Sequence, residues 1–202
     1  MIARLRRTIS DQLSRPSGRR GRVVAALMNR GNRGLNERAI ELLDVRAGAR
    51  VLDLGFGGGL TFDPLLERGA TIVGVDRAED MVAAATSRRR EDVDAGRIAL
   101  HAADVTALPI DDGAVDRALT VNTVYFWPDL APAFAELHRV LAPGGRIVIG
   151  IRDGSVMERV DKAVFTLRPP QEIAAALGSA GFSGAEVHSA PDGKSHLIGA
   201  TR

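Results

Sequence analysis

The stretch VLDLGFGGGL, residues 51–60, decides the fold, because in it a short apolar run with one aspartate meets four glycines in five positions. Glycine loses more conformational freedom on folding than any other residue, so its concentration here needs a reason. The apolar run predicts a buried strand over Arg50–Leu54, and Thr61–Arg68 has helical spacing and ends before Gly69. The glycines therefore lie where a strand turns into a helix, a place where free main-chain N–H groups can meet a ligand.

Strands and helices alternate on both sides of this turn. Further strands are predicted at Thr71–Val75, Arg97–Ala102, Val115–Val121 and Arg146–Ile151, and helices at 22–30, 35–44, Glu79–Arg89 and Leu130–Leu141, the last one ended by Pro143-Gly144-Gly145. The final segment predicts a helix over Gln171–Leu177 and two short strands, Glu186–Ser189 and His196–Thr201, joined by Pro191-Asp192-Gly193. Alternation of this kind requires crossover connections, so we expect a doubly wound α/β fold with helices on both faces of a mostly parallel sheet.

Length and composition point to one domain with a small extension. The chain has 202 residues, of which 45% are hydrophobic and 26% charged, and it has no cysteine. No apolar run approaches the roughly 20 residues that a membrane-spanning helix needs, and no secretory signal is expected. We predict a basic arm and helical lid over 1–45, a main domain over 46–202 and a cytoplasmic location.

Charge is divided unevenly along the chain. Residues 1–50 hold twelve arginines and four acidic residues, whereas the remainder holds fewer basic than acidic residues, 15 against 21. A basic arm can contact an anionic substrate, a membrane surface or nucleic acid. The alternative interpretation is a solvated leader without a partner.

The glycine pattern excludes two common nucleotide sites. A dinucleotide fingerprint that starts at Gly55 needs a glycine where the chain has Leu60, and no Lys-Ser/Thr pair follows the glycines as in a phosphate-binding loop. An acid, Asp53, precedes the glycines; Asp76 ends the next strand, and Asp104 follows the third. Carboxylates at these strand ends can accept hydrogen bonds from ribose hydroxyls and an adenine amino group, which suits a nucleoside without phosphate.

Five segments carry a family resemblance, namely VLDLGFGGG, VGVD, HAADVTALP, DRALTVNTVYFWPD and ELHRVLAPGGRIVI. In order and spacing they resemble the motifs of class I S-adenosylmethionine-dependent methyltransferases, and most of all the small type 11 enzymes similar to quinone-biosynthesis methyltransferases. The resemblance covers about residues 45–152. It implies a Rossmann-like, three-layer αβα fold whose seven-stranded sheet is mostly parallel and ends in an antiparallel C-terminal hairpin.

The resemblance also implies S-adenosyl-L-methionine as cofactor and assigns roles to individual residues. Asp53 is expected near the methionine amino group, Asp76 at the ribose hydroxyls, Asp104 and Val105 at the adenine, and Asn122 on the methionine side. The family often has Glu where this chain has Asp53. The predicted cofactor-binding residues are Asp53, Gly55, Phe56, Gly57, Gly59, Asp76, Arg77, Asp104, Val105 and Asn122.

Each of these features also has a purely structural interpretation. The glycines can form a tight strand-to-helix turn, Asp76 can cap the following helix, and Asp104 can be an exposed loop acid. Glu136 and Arg139 are three residues apart on one helix face, which favours a plain surface pair.

The acceptor side is predicted from aromatic residues. Tyr125, Phe126 and Trp127 follow the fourth strand in a chain with 4% aromatics, so they can shape an apolar substrate pocket, or contact the sulfonium by cation–π attraction, or form a packing plug. Met28, Phe165 and Leu167 are further candidates for the same cavity. The predicted acceptor is a small apolar or amphiphilic metabolite that is methylated on oxygen or carbon.

No catalytic residue and no metal site are predicted. Methyl transfer from a sulfonium releases a neutral leaving group, so alignment matters most and a base is needed only if the acceptor must lose a proton. His101 is as easily packed as catalytic, His138 is predicted to be structural, and His188 and His196 belong to the C-terminal hairpin. None of the four has metal-ligand spacing.

Alternative functions stay open. The chain can be a non-catalytic S-adenosylmethionine-binding protein, or an RNA methyltransferase that uses the basic arm, although VNTVYFWPD lacks the Asn/Asp-Pro-Pro-aromatic motif of nucleic-acid methyltransferases. A nicotinamide-dependent reductase is a weaker alternative. We therefore expect a small-molecule substrate, no nucleic acid, no transmembrane segment, and a monomer or homodimer, with peripheral membrane contact through the arm left open.

Overall fold

The computed structural model describes residues 33–153, 165–191 and 193–202. Residues 1–32 of the predicted arm and lid, with the helix predicted at 22–30 and Met28, lie outside these ranges. Residues 154–164 and Asp192 of the predicted turn lie outside them as well. Helix α1 covers 33–43 within them.

Seven strands and five further α-helices follow. In chain order they are β1 Arg50–Leu54, α2 Phe62–Glu67, β2 Thr71–Asp76, α3 Glu79–Arg88, α4 Arg90–Asp94, β3 Ile98–Ala102, β4 Val115–Val121, a short 3-10 helix Val124–Phe126, α5 Leu130–Val140, β5 Leu141–Arg152, α6 Pro170–Ser179, β6 Ser183–Ser189 and β7 Ser195–Thr201. Of these, α4 has no counterpart among the elements predicted from the sequence, and the two hairpin strands are longer than predicted.

All seven strands form one sheet in the order β3-β2-β1-β4-β5-β7-β6. The first five strands are mutually parallel, and β7 runs antiparallel to both β5 and β6. The strand order reverses between β1 and β4, which pair in the register Leu52↔Ala118. The predicted doubly wound, mostly parallel sheet with an antiparallel C-terminal hairpin is therefore confirmed, and the carboxyl ends of β1 and β4 mark the place where such sheets bind ligands.

Helices cover both faces of the sheet, which confirms the three-layer arrangement. Successive strand residues point to opposite faces, so Val51 packs with α1 and α2 while Leu52 packs with α5 and α6. Phe62 and Phe134, on the two opposite faces, are fully buried. The two apolar layers hold β1 and β4 rigidly, which keeps their carboxyl ends in place.

The chain between α5 and β5 differs from the prediction. Pro143-Gly144-Gly145 was expected to separate the helix from the strand, but β5 begins at Leu141, directly after the helix. Leu141 pairs with Val115 and Arg146 with Arg117, so the residues between them form an irregularity inside the strand. Gly144 has a φ of 75°, and a Cβ on Gly145 would lie 2.7 Å from the Ala142 carbonyl oxygen, so these glycines allow the excursion.

Candidate cofactor-binding site

A cavity of about 450 Å³ opens at the carboxyl ends of β1, β2 and β4, beside the point where the strand order reverses. It is lined by most of the residues predicted from the sequence: Asp53, Gly55, Phe56, Gly57, Asp76, Arg77, Asp104, Val105, Asn122, Phe126 and Trp127. Gly59 and Tyr125 do not line it. The fold thus brings together residues from four separate segments of the chain.

Glycine occupies the three predicted positions for different structural reasons. All have positive φ, which L side chains rarely adopt. A Cβ on Gly55 would overlap the methyl group of Thr123, and one on Gly59 would lie 2.8 Å from the ring of Phe62. Only at Gly57 does the position face open space, with the nearest atom 4.0 Å away. Of the three, Gly57 alone leaves room for a ligand, while the other two are glycines because protein side chains fill their space.

Asp76 ties the glycine turn to the end of β2. Its Oδ2 accepts a hydrogen bond from the Gly57 N–H at 2.9 Å, and its Oδ1 accepts one from the Ala78 N–H at 3.0 Å. Burial raises the pKa of this carboxyl, and the two backbone donors oppose that effect. The N-cap residue of α3 is Ala78 and no side chain caps this helix, so Asp76 binds the residue before the helix and is not its cap. Each carboxylate oxygen keeps a second lone pair for a ligand hydroxyl.

Asp53 is the most deeply buried acid of the cavity, with 4% of its surface exposed. The Thr61 hydroxyl donates a hydrogen bond to its Oδ2, and within the described residues this is its single hydrogen-bond partner. Burial raises the pKa of Asp53 to about 7; the Thr61 hydrogen bond lowers it and the charge of Asp76 raises it further. A buried carboxylate without a cation is unfavourable, so this position suits a ligand ammonium group.

The loop after β3 presents one acceptor and one donor. Asp104 Oδ1 accepts hydrogen bonds from the backbone N–H and the hydroxyl of Thr106, at 3.0 and 2.8 Å, and the N–H bond lowers the pKa of Asp104. Within the described part of the chain, Asp104 Oδ2 and the Val105 N–H have no hydrogen-bond partner. Asp104 is exposed, as a loop acid would be, yet it lines the cavity. An acceptor and a donor on adjacent residues suit the amino group and a ring nitrogen at the edge of an adenine ring.

Asn122 ends β4 in a left-handed conformation, with a φ of 59°. Its N–H donates to the Gly150 carbonyl at 2.8 Å, and its side-chain oxygen accepts from the Tyr125 hydroxyl at 3.3 Å. That hydroxyl also contacts the Arg152 carbonyl at 3.1 Å and the Arg152 N–H. Tyr125 is therefore a buried connection between β4 and β5, and its predicted place in the pocket wall is wrong. Burial raises its pKa.

Phe126 and Trp127 combine two of the three roles considered for them, a pocket wall and a packing plug. The Phe126 ring lines the cavity, packs 4.8 Å from the ring of Phe165, and has the Arg77 guanidinium 5.5 Å from its centre. Trp127 also lines the cavity and packs edge-on against Phe134 of α5, 6.0 Å between ring centres. Phe165 therefore lies behind the wall, not in it.

Part of the lining was not predicted from the sequence. These residues are Asn36, Leu54, Gly58, Leu60, Thr61, Met81, Ala103, Thr106, Val121, Thr123, Pro128, Asp129 and Pro132. Thr61 could have been found, because it is the first polar residue after the glycines and can reach back to Asp53. Asn36 could not, since nothing in its local pattern distinguishes it from other polar residues on a helix.

No histidine lines the cavity. The His138 ring packs edge-on against Phe182 at 5.2 Å, which confirms its structural role, and His188 and His196 lie in β6 and β7. Among residues 33–153, 165–191 and 193–202, no three His, Asp or Glu side chains cluster closely enough to hold a metal ion. None of the helices in these ranges combines the length and apolar character needed to cross a membrane.

The charges of the cavity restrict its ligand. Asp53, Asp76, Asp104 and Asp129 line it, against a single cation, Arg77, within the described residues. Such a lining repels phosphate and attracts positive charge. A nucleoside that carries an ammonium and a sulfonium group and no phosphate, such as S-adenosylmethionine, fits this set of donors and acceptors.

Comparison with known proteins also indicates a methyltransferase. Residues 52–149 match a family model described as a methyltransferase domain, of type 11. A demethylmenaquinone methyltransferase of Thermus thermophilus is 40% identical over 114 residues, which cover 55% of this chain and 51% of that protein. A 27-O-demethylrifamycin SV methyltransferase of Amycolatopsis mediterranei is 30% identical over 131 residues, which cover 62% of this chain and 47% of that protein.

The chain spans about half the length of these curated relatives. Among solved structures, an S-adenosylmethionine-dependent methyltransferase from Aquifex aeolicus has the same fold, with a TM-score of 0.74 over 88% of this chain and 96% of that one, at 17% identity. The matched residues 52–149 include every acid of the cavity described above. Residues 52–149 are therefore a methyltransferase domain of the type 11 group, and the chain has the fold of S-adenosylmethionine-dependent methyltransferases.

Proposed function

We propose that the protein transfers a methyl group from S-adenosylmethionine to an oxygen or carbon atom of a small apolar or amphiphilic metabolite. One observation carries this proposal: a single cavity contains the buried carboxylate of Asp53, which favours a cationic ligand, together with the carboxylates of Asp76 and Asp104. The methyltransferase domain over residues 52–149 supports the reaction class.

The chain's own residues bind and orient the cofactor. Asp53 would take the methionine ammonium, Asp76 the ribose hydroxyls, and Asp104 with the Val105 N–H the adenine. Gly57 would leave the space in which the cofactor lies against the main chain. When bound, S-adenosylmethionine supplies an activated methyl group on a sulfonium centre.

The acceptor side of the cavity is mainly apolar. The apolar residues that line the cavity include Leu60, Met81, Phe126, Trp127 and Pro128. A wall of this kind excludes water and favours an apolar acceptor. The relatives named for demethylmenaquinone and for 27-O-demethylrifamycin SV support a small-molecule acceptor for this chain.

The acid next to this wall is Asp129, which accepts a hydrogen bond from the Ala131 N–H as the N-cap of α5. Tyr125 has a raised pKa and is buried, so it stays protonated near neutral pH. Methyl transfer needs no acid for its leaving group, and an acceptor that is ionised or carries a nucleophilic carbon needs only alignment. We therefore expect the cavity to act by holding acceptor and methyl group in line.

A metabolite panel tests the proposal. The purified protein is incubated with S-adenosylmethionine carrying an isotope-labelled methyl group, and products are analysed by mass spectrometry. We expect a product of a small apolar or amphiphilic metabolite that is one labelled methyl group heavier, and less of this product with the Asp76→Ala variant at a limiting concentration of cofactor. Binding of the cofactor without turnover of any panel member would favour the non-catalytic alternative.

A further inference from the structure

The loop between β3 and β4, residues 103–114, carries Asp104 and Val105 but contains no helix or strand. A loop without regular structure needs other partners for its backbone groups. Since four of its residues, 103–106, line the cavity, the contacts that hold the loop also affect their position.

Arg139 of α5 supplies several partners from outside the loop. Its Nη1 donates to the Ile110 carbonyl at 2.8 Å and to Asp112 Oδ1 at 2.6 Å, and its Nη2 donates to the Leu108 carbonyl at 3.2 Å. Its Nε and Nη2 also donate to the two carboxylate oxygens of Glu136, at 2.8 and 2.7 Å. A single guanidinium thus binds three residues of one loop and is itself held in a two-point pair.

Glu136 completes the arrangement. Its Oε1 accepts a hydrogen bond from the Leu108 N–H at 2.8 Å, and the Arg139 carbonyl accepts one from the Gly113 N–H at 2.9 Å. The Glu136 side chain is only 15% exposed, and its pKa is lowered by Arg139 and by the Leu108 N–H. The expectation of a plain surface pair is therefore wrong, because the pair binds the backbone of a distant loop.

Apolar packing against the core also holds this loop. Leu108 and Ile110 are buried in the core cluster that contains α5. The segment from Asp104 to Ala107 is held by its own turn, in which Ala107 N–H donates to the Asp104 carbonyl at 3.1 Å. The turn follows Ala103, whose N–H donates to the Asp76 carbonyl at 3.2 Å, and it leads into Leu108. Its near end is therefore held by β2, while the position of its far end depends on the residues that bind Leu108.

We infer that Glu136 and Arg139 are positioning residues that hold Asp104 and Val105 in place to recognise the adenine of the cofactor. The inference rests on the proposed function, because it assumes that S-adenosylmethionine occupies the cavity. Neither side chain lines the cavity, so both act through the loop.

Calorimetric titration with two ligands tests this role. S-adenosylhomocysteine carries adenine, and its inosine counterpart has a carbonyl oxygen in place of the amino group that Asp104 is expected to bind. We expect the wild type to prefer the adenine compound. In Arg139→Met the affinity for S-adenosylhomocysteine should fall about tenfold, and the preference over the inosine compound should shrink towards that of Asp104→Ala.

Arg89→Met is the matched control. Arg89 makes comparable ion pairs with Asp63 and Asp92, yet it contacts no residue of the loop. It should leave both the affinity and the base preference unchanged. If Arg139→Met does not fold, Glu136→Gln is measured instead, with the same expectation of a reduced base preference.

An unchanged base preference in the folded variant would overturn the inference, as would an equal loss of affinity for both ligands. A wild type that binds neither compound would instead contradict the proposed function. The two failures are thus separable in one set of titrations.

Discussion

Two carboxylates near the ends of neighbouring strands differ in the hydrogen-bond donors that the protein provides. Asp76 accepts hydrogen bonds from two backbone N–H groups, while Asp53 accepts one from the Thr61 hydroxyl. Burial raises the pKa of both, and that of Asp53 to about 7. Asp53 is therefore the group whose charge changes most readily near neutral pH when a cation arrives.

The raised pKa of Asp53 makes cofactor binding depend on pH. An ammonium ligand binds the carboxylate form, so the affinity for S-adenosylhomocysteine should rise about tenfold between pH 6 and pH 8. 5′-Methylthioadenosine, which lacks the ammonium group, should show a much smaller change. Calorimetric titration across this pH range measures both affinities. In Asp53→Asn the two ligands should show the same small dependence of affinity on pH.

The ligand-free protein should show the opposite trend in stability. Because the folded-state pKa of Asp53 lies above its ordinary value of 3.8, the unfolded chain releases this proton first as pH rises. The contribution of Asp53 to the free energy of unfolding is therefore full below pH 4 and is lost as pH rises to about 7. Denaturant titrations of wild type and Asp53→Asn at pH 5 and pH 8 isolate it; a constant difference between the two proteins would refute the assignment.

Removing the Asp76 carboxylate should weaken cofactor binding. If it accepts from both ribose hydroxyls, Asp76→Ala should weaken binding by about 1–3 kcal/mol in calorimetric titration. Asp80→Ala, an exposed acid on α3, controls for the change in charge. Unchanged affinity in a folded Asp76→Ala protein would show that the ribose lies elsewhere.

At the scale of elements, the turn between β1 and α2 is held by side chains from other segments. Asp76 binds the Gly57 N–H from β2, and the Thr120 hydroxyl of β4 donates to the Leu54 carbonyl at 2.9 Å. Thr123 fills the space beside Gly55. The turn is thus pre-formed, so a ligand does not have to order it.

Two glycine substitutions should separate folding from binding. Gly55→Ala places a methyl group against Thr123 at a positive φ, so it should lower the free energy of unfolding by roughly 2–5 kcal/mol. Gly57→Ala has only the backbone strain, about 1–2 kcal/mol, but puts its methyl group in open space at the cavity. In denaturant unfolding, Gly55→Ala should therefore lose more of its free energy of unfolding than Gly57→Ala. In titration with S-adenosylhomocysteine, Gly57→Ala should lose more affinity for each kcal/mol of stability that it loses.

At the scale of the whole molecule, charge is separated between the N-terminal residues and the rest of the chain. The acidic lining of the cavity disfavours a phosphate backbone at the site itself. We therefore expect no RNA binding that competes with the cofactor site. An electrophoretic assay at low and high salt tests this: salt-sensitive binding that disappears when residues 1–20 are deleted would support the RNA methyltransferase alternative.

The alternation of apolar runs with helical segments was enough to predict the doubly wound sheet, because periodicity and crossover handedness leave few topologies. The same alternation did not predict α4 or the start of β5. Short helices have weak periodic signals, and the excursion at Pro143–Gly145 depends on how β4 and β5 pair, not on local propensity.

The sequence alone determined the strand ends, the three acids that follow them and the family, because these depend on spacing along the chain. Only the tertiary structure decided that Gly55 and Gly59 are packing glycines, that Tyr125 lies behind the cavity wall, and that Arg139 binds a loop about 30 residues away. The reason is physical: which atom fills the space beside a residue depends on contacts between distant segments, and no local pattern records those contacts.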